Sequence, residues 1–221
     1  MESVDFNENG EQAPAGRVQR EPGRIVLPGE MVADRPTDME GCFVAAGRTY
    51  VGVISLLREG KVIPLKGHYL PTPGDYVVGI VTEERFSGYN IDLHSAYEGT
   101  FSTRDVREEF KVGEVISAKI LDVNEVNEAT LGEPRKFSGG QLLEVDFVKV
   151  PRIIGRGGSM LEMIRSYTGT DLFIGKNGRI YMRGGNTALA TLAILKIDRE
   201  AHVQGLTDRL KEFLEVESKR A

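Results

Sequence analysis

Apolar positions fall in short runs broken by glycine and proline through the first half of the chain, and helical spacing appears only after residue 150. Residues 1–21 have almost no apolar periodicity and read as a flexible tail with too little to bury. Runs at 24–27, 42–45 and 49–55, punctuated by Pro28, Gly29 and Gly47, predict a small β-domain over residues 22–68. Pro64, Pro71 and Pro73, with Gly67 and Gly74 between and after them, predict a linker or sharp crossing at its end. Strands at 76–82, 89–93 and 115–123, with the stretch Gly99-Thr100-Phe101-Ser102, predict a five-stranded small barrel over 69–135. Residues 124–140, polar and carrying Pro134, Gly139 and Gly140, read as a loop.

The last part, residues 136–221, mixes the two periods. A strand at 142–148 leads into a short helix at 151–154, a turn at 155–158 and a second helix at 159–167. In that second helix Met160, Met163, Ile164 and Tyr167 share one face, and Gly169 stops it. A strand at 172–174, the Asn-Gly hairpin signal in Gly175-Lys176-Asn177-Gly178 and a strand at 179–183 follow. Asn186 is placed to cap a helix whose expected apolar face is Leu189, Leu192, Ala193, Leu195 and Ile197. Leu206, Leu210, Phe213 and Leu214 then mark a terminal packing helix.

Charge changes this picture at one place. The chain as a whole carries −5, yet residues 148–185 hold seven Lys or Arg against two acids, while residues 1–147 hold 15 basic and 25 acidic side chains. A local reversal of sign on a glycine-rich turn points to a phosphate-bearing partner. Gly155, Gly157 and Gly158 let the backbone approach a phosphate, the N–H groups opening the helix at Ser159 attract negative charge, and Arg156 adds a full positive charge. Other phosphate motifs fail on their own terms, because a mononucleotide loop needs a lysine after Gly158 and a dinucleotide fingerprint needs glycine where Met160 stands.

No paired carboxylates, Ser/His/Asp set or metal-ligand spacing stands out, and His68, His94 and His202 are scattered. No catalytic residue, metal or cofactor is expected. Cys42 has no internal partner and reads as a small core residue. No run reaches the roughly 18 to 20 apolar residues of a membrane span, and the N-terminus is acidic and polar, so no membrane contact and a cytoplasmic location are expected.

Two resemblances follow from these motifs. Gly79-Ile80-Val81, Phe86, Gly88-Tyr89, Ile91, Leu93, Gly99 and Val112-Gly113-Glu114-Val115 together resemble the S1-type RNA-binding domain, an OB-fold barrel. OB-folds stack bases on exposed aromatics in a basic groove, which implies stacking roles for Phe86 and Tyr89; half-buried strand residues are the other reading, favoured by the local acids and by Ser102 where such domains often carry histidine. Residues 142–200, with the lead-in Val150, Ile153, Ile154 and Gly155, resemble a KH domain of type I order. That resemblance implies that Gly155, Arg156, Gly157, Gly158 and Ser159 hold RNA phosphates beside Arg152, while Ile153, Ile154, Leu161, Phe173 and Ile174 form or support a groove for bases.

A small N-terminal β-domain, an S1-type barrel and a KH domain with both Gly-x-x-Gly and Gly-Lys-Asn-Gly resemble, over residues 22–200, the RNA-binding cap subunits of the archaeal exosome, of the ribosomal-RNA-processing protein four type. The resemblance implies a multidomain, β-rich plus α+β chain that is not itself a nuclease. Three copies would sit on a hexameric ring of ribonuclease-PH-like subunits and deliver single-stranded RNA, A-rich 3′ tails included. A free-standing S1/KH factor in transcription or translation is the alternative, and a fragment-like relative of polynucleotide phosphorylase a third.

Overall fold

The computed structural model describes residues 23–105, 108–200 and 205–219, and the tail expected over 1–21 lies outside them. The N-terminal part forms two three-stranded sheets from β1 (Arg24–Val26), β2 (Met31–Ala33), β3 (Cys42–Ala45), β4 (Arg48–Val51), β5 (Ile54–Arg58) and β6 (Lys61–Lys66), ordered β1-β5-β6 and β2-β4-β3. The fully buried Thr49 pins the intervening loop, since its hydroxyl donates to the Arg35 carbonyl at 2.8 Å and accepts from the Thr37 N–H at 2.9 Å. Pro64 lies inside β6 instead of starting a linker. It is tolerated there because β6 is an edge strand, where a missing N–H costs no ladder bond.

The barrel is made of β7 (Tyr76–Arg85), β8 (Gly88–Asp92), β9 (Glu98–Ser102), β10 (Val115–Val123) and β11 (Glu128–Lys136). It closes in the order β10-β11-β9-β8-β7, with β10 returning to β7 and a parallel contact between β9 and β11, which is OB-fold topology. Strand β11 overturns the expected 124–140 loop. Ala129 and Leu131 alternate into the core, while Glu133 at φ +51° and Pro134 fall in a register shift opposite Ser117 to Lys119, so the breakers mark a bulge and not an end of pairing.

The C-terminal part runs β12 (Gln141–Glu144), α1 (Val150–Ile154), α2 (Ser159–Thr168), β13 (Asp171–Ile174), β14 (Arg179–Arg183), α3 (Thr187–Glu200) and α4 (Leu206–Ser218), with sheet order β12-β14-β13. Strand β12 is shorter than the expected 142–148 run because residues 147–149 turn into a 3-10 helix that carries Phe147 toward the barrel. Ile180, Met182 and Leu172 bury one sheet face under the helices, and Ile164, Ala193, Ile194, Leu210 and Leu214 meet them. Asn186 caps α3 through its Oδ1, which accepts the Leu189 N–H at 2.9 Å. The buried face of α3 is Leu189, Ala190, Ala193, Ile194 and Ile197; Leu192, expected inside, is exposed because the stripe runs one position away from it.

The three parts share buried surface. Val53, between β4 and β5, Tyr69 of the following crossing and Phe147 all join the barrel's own core, and the Tyr69 and Phe147 rings meet edge to face at 6.0 Å. The Tyr69 hydroxyl donates to Asp75 at 2.7 Å; burial, then this carboxylate, push the phenol far above its usual range and keep it a donor.

The hairpin Gly175-Lys176-Asn177-Gly178 makes the most specific connection. Asn177, 1% exposed, accepts the Val78 N–H at 3.2 Å and donates to the Val78 and Leu93 carbonyls at 2.7 and 2.8 Å. A Cβ on residue 175 would stand 2.7 Å from the Val78 nitrogen, so glycine is what lets the hairpin approach β7 this closely. Next to it the buried Arg179 binds Glu144 at 2.9 Å, the Asp92 carboxylate at 2.6 Å and the Asp92 carbonyl at 2.7 Å.

Asn177→Ala leaves three interior backbone groups without a partner and should lower stability to urea by about 2–4 kcal/mol. The Asp92 carboxyl sits in partial burial that pushes it up, but hydrogen bonds from Arg179 and the His94 N–H, with the Arg179 charge, hold it below the usual carboxylate range. A depressed folded-state value stabilises above the unfolded value and is lost as pH falls through the folded one. Urea stability should therefore decline below about pH 4, and Asp92→Asn should flatten that part of the curve.

Candidate nucleic-acid interface

The loop between α1 and α2 is built by its glycines. Gly155 has φ +76°, and a Cβ there would lie 2.5 Å from the Met160 side chain, so both backbone and packing demand glycine. Gly157 and Gly158 follow at φ +59° and +82° with open space around them. No side chain caps α2, whose first residue Ser159 is exposed; the Gly158 and Ser159 N–H groups donate to the Gly155 and Arg156 carbonyls in a 3-10 turn, so the donors the helix start offers at this corner are those of its first turn beyond Ser159. Arg152, in the last turn of α1, and Arg156, in the loop, are exposed beside it, and among the described residues neither forms an ion pair.

The other cations of the basic window have different employment. Lys149 pairs with Asp198 at 3.1 Å, Arg165 reaches from α2 to the Leu172 carbonyl at 2.5 Å, Lys176 lies 3.9 Å from Asp75, and Arg179 is the buried bracket to the barrel. Arg183, at the end of β14, is exposed. The positive field thus concentrates on the Arg152–Arg156 corner, where the backbone also offers donors.

The residues expected to line the base groove divide. Ile154 and Leu161 are partly buried beside the loop, but Ile153 is fully buried and Ile174 packs into the helix-side core. Phe173 belongs to the opposite sheet face, where Phe137 lies 5.4 Å from it and stacks on Tyr181 at 4.0 Å. Ile153 supports the loop from beneath instead of touching a ligand.

The two barrel aromatics also part company. Phe86, in the turn between β7 and β8, is fully exposed. Tyr89 is 4% exposed and forms a buried triad with Phe101 and Phe110 at 5.1 and 5.5 Å; its hydroxyl accepts the Phe110 N–H at 3.4 Å. The stacking expectation for Tyr89 is therefore corrected: strand alternation turns its ring into the core. The surface around Phe86 is acidic, with Glu83 and Glu84 exposed and Glu83 tied to Arg85 and Asn90.

A cavity of about 670 Å³ borders the loop, and two of its walls were not anticipated: Ile63 and Pro64 of β6, and Leu206 and Thr207 opening α4. No local pattern could have revealed them, since they meet the loop from about ninety residues before it and fifty after. Among the described residues no cluster of metal-ligating side chains is present, and no helix is long and apolar enough to cross a membrane.

Comparison with known proteins agrees with this architecture. Residues 141–199 match the KH domain family. The chain is similar to the exosome complex component Rrp4 of Thermococcus kodakarensis, 40% identical over 219 residues that cover 87% of this chain and 85% of the relative. It is likewise 38% identical to the Rrp4 component of Thermofilum pendens, covering 87% of this chain and 92% of that one. A crystal structure assigned to an exosome complex RNA-binding protein superimposes with a TM-score of 0.64 at 32% identity, over 70% of this chain and 98% of that one. With a KH domain, a closed OB-type barrel, N-terminal sheets and identity at this level over most of its length, the chain belongs to the archaeal Rrp4 family of exosome complex components.

Proposed function

We propose that this chain is a non-catalytic RNA-binding subunit of an exosome. It captures single-stranded RNA, A-rich 3′ tails in particular, and passes it to a hexameric ring of ribonuclease-PH-like subunits for 3′-to-5′ degradation, three copies to a ring. The observation that carries the RNA-binding part is the uncapped start of α2 behind a glycine loop, flanked by Arg152 and Arg156 with no carboxylate partner. Backbone donors and unpaired guanidinium groups converging on one exposed corner suit successive phosphates of a single strand. Gly155 to Ser159 and Arg152 are the phosphate contacts, Ile154 borders them, and Phe86 supplies a separate stacking surface on the barrel.

Docking on a ring is supported by the N-terminal sheets. Ile25, Leu56 and Ile63 stand opposite one another across β1, β5 and β6, and with Leu27, Ile54 and Leu65 they form an apolar area in which all but Leu56 are at least 40% exposed. A contiguous apolar surface of this kind on a polar chain suits a protein partner.

Three outcomes test this reading. Arg156→Glu with Gly157→Asp should weaken binding of short single-stranded RNA about tenfold or more, with the log–log salt slope falling by about one per lost phosphate contact. The fold should survive, because nothing lies within 4 Å of a Cβ at residue 157 and aspartate tolerates the left-handed region. Size-exclusion chromatography with a matching ring should show co-elution, and Ile25→Asp with Leu27→Asp should abolish it while leaving RNA affinity unchanged. Elution apart from the ring by the unaltered chain would favour the free-standing RNA-binding factor.

A further inference from the structure

The groove expected beside the glycine loop is poorly supplied with open apolar surface. Ile153 is fully buried, Ile174 belongs to the core and Phe173 faces the other side of the sheet. Arg165 also spans from α2 to the edge strand β13 through its bond to the Leu172 carbonyl.

A different space is open. The cavity of about 670 Å³ has the glycine loop on one side and the N-terminal β-domain on the other, and none of Leu161, Arg165 or residues 171–174 lines it. Its volume lies in the range of small-molecule sites and is ample for one nucleotide. Its chemistry is divided. Arg152, Arg156 and Ser159 line the cavity at the loop, whereas Pro151, Met160, Ile63 and Pro64 give it apolar lining. Ile63 is 45% exposed although it is a strand residue on an apolar face, so this lining is available. Glu40, the acid of the lining, has Lys176 at 4.0 Å to offset its charge.

We infer that a nucleotide of bound RNA occupies this cleft, its phosphate on Arg152 and Arg156 and its base against Ile63 and Pro64, so that the N-terminal β-domain forms the second wall of the RNA site. This rests on the reading of the glycine loop as a phosphate clamp. It differs from that reading in assigning base contact to β6, a strand that precedes both the barrel and the KH domain, and in placing the base outside the α2–β13 groove. The apolar face of the β-domain is then divided: Ile63, at its β6 edge, meets RNA, and the area around Ile25, Leu27 and Ile54 is left for the ring.

The full chain can be tested with a short oligoadenylate and an abasic ribose-phosphate strand of the same length. Ile63→Ser removes apolar surface without adding charge at an exposed position, and it should weaken the oligoadenylate about fivefold, in line with the loss of part of one base contact, while leaving the abasic strand unchanged. Arg156→Glu should weaken both strands. If Ile63→Ser binds both strands like the parent while Arg156→Glu weakens both, the β6 wall is overturned and the clamp stands. If Ile63→Ser weakens both strands equally, the base assignment is overturned. If neither variant changes binding, the clamp falls with it. Photocrosslinking of the unaltered protein with 4-thiouridine RNA gives a reading that does not depend on any variant's folding. Adducts in residues 61–66 support the inference, and adducts confined to residues 161–174 overturn it.

Discussion

Two polar side chains on one KH hairpin hold the molecule in its working shape. Asn177 and Arg179 are nearly fully buried, and a buried amide or guanidinium is tolerated only where every strong donor and acceptor finds a partner. Their partners lie on the barrel, at Val78, Leu93 and Asp92, so the hairpin is satisfied in one relative placement of the two domains. Apolar surface alone would allow sliding at such a junction. Directional bonds to specific carbonyls do not, and the shared packing of Val53, Tyr69 and Phe147 carries the same constraint to the N-terminal sheets.

The placement has a consequence for charge. The basic window counts seven cations, but Arg179 is consumed by the junction, Lys149 by Asp198 and Arg165 by a backbone carbonyl. What faces solvent at the glycine loop is chiefly Arg152 and Arg156, reinforced by the open end of α2. A barrel with acids around its exposed Phe86 adds little attraction for phosphate, so the unpaired positive charge of this surface lies at the KH corner and not on the barrel.

Much of the fold was legible along the chain. The helix stops, the Asn186 cap, the hairpin and most strands announce themselves through residues whose local conformational demands are strong. The failures share one cause. Strand β11 looked like a loop because its breakers sit in a bulge that only pairing with β10 makes sensible. Leu192 was placed on the wrong side, and Tyr89 left between stacking and burial, because local apolar character does not say which way an element is rotated against its neighbours; a neighbouring helix or sheet decides that. Arg179 falls within the basic window of residues 148–185, and nothing local sets it apart because its carboxylate partners are 35 and 87 residues away in the chain.

The glycine loop shows the division most clearly. Its geometry is written locally: left-handed backbone at Gly155, Gly157 and Gly158, an arginine among them and a helix start behind them follow from residue types within eight positions. Family membership was equally readable, since the motifs and their order are features of the linear chain. The surroundings of the loop were not. Whether a neighbouring cation is free or paired, which isoleucine lines a wall and which is buried beneath it, and that β6 stands across from the loop are outcomes of packing between distant segments. Short-range preferences specify torsion angles and periodicities, whereas burial and ion pairing depend on which surfaces meet, and the meeting is settled when the Asn177–Arg179 hairpin finds its partners on the barrel.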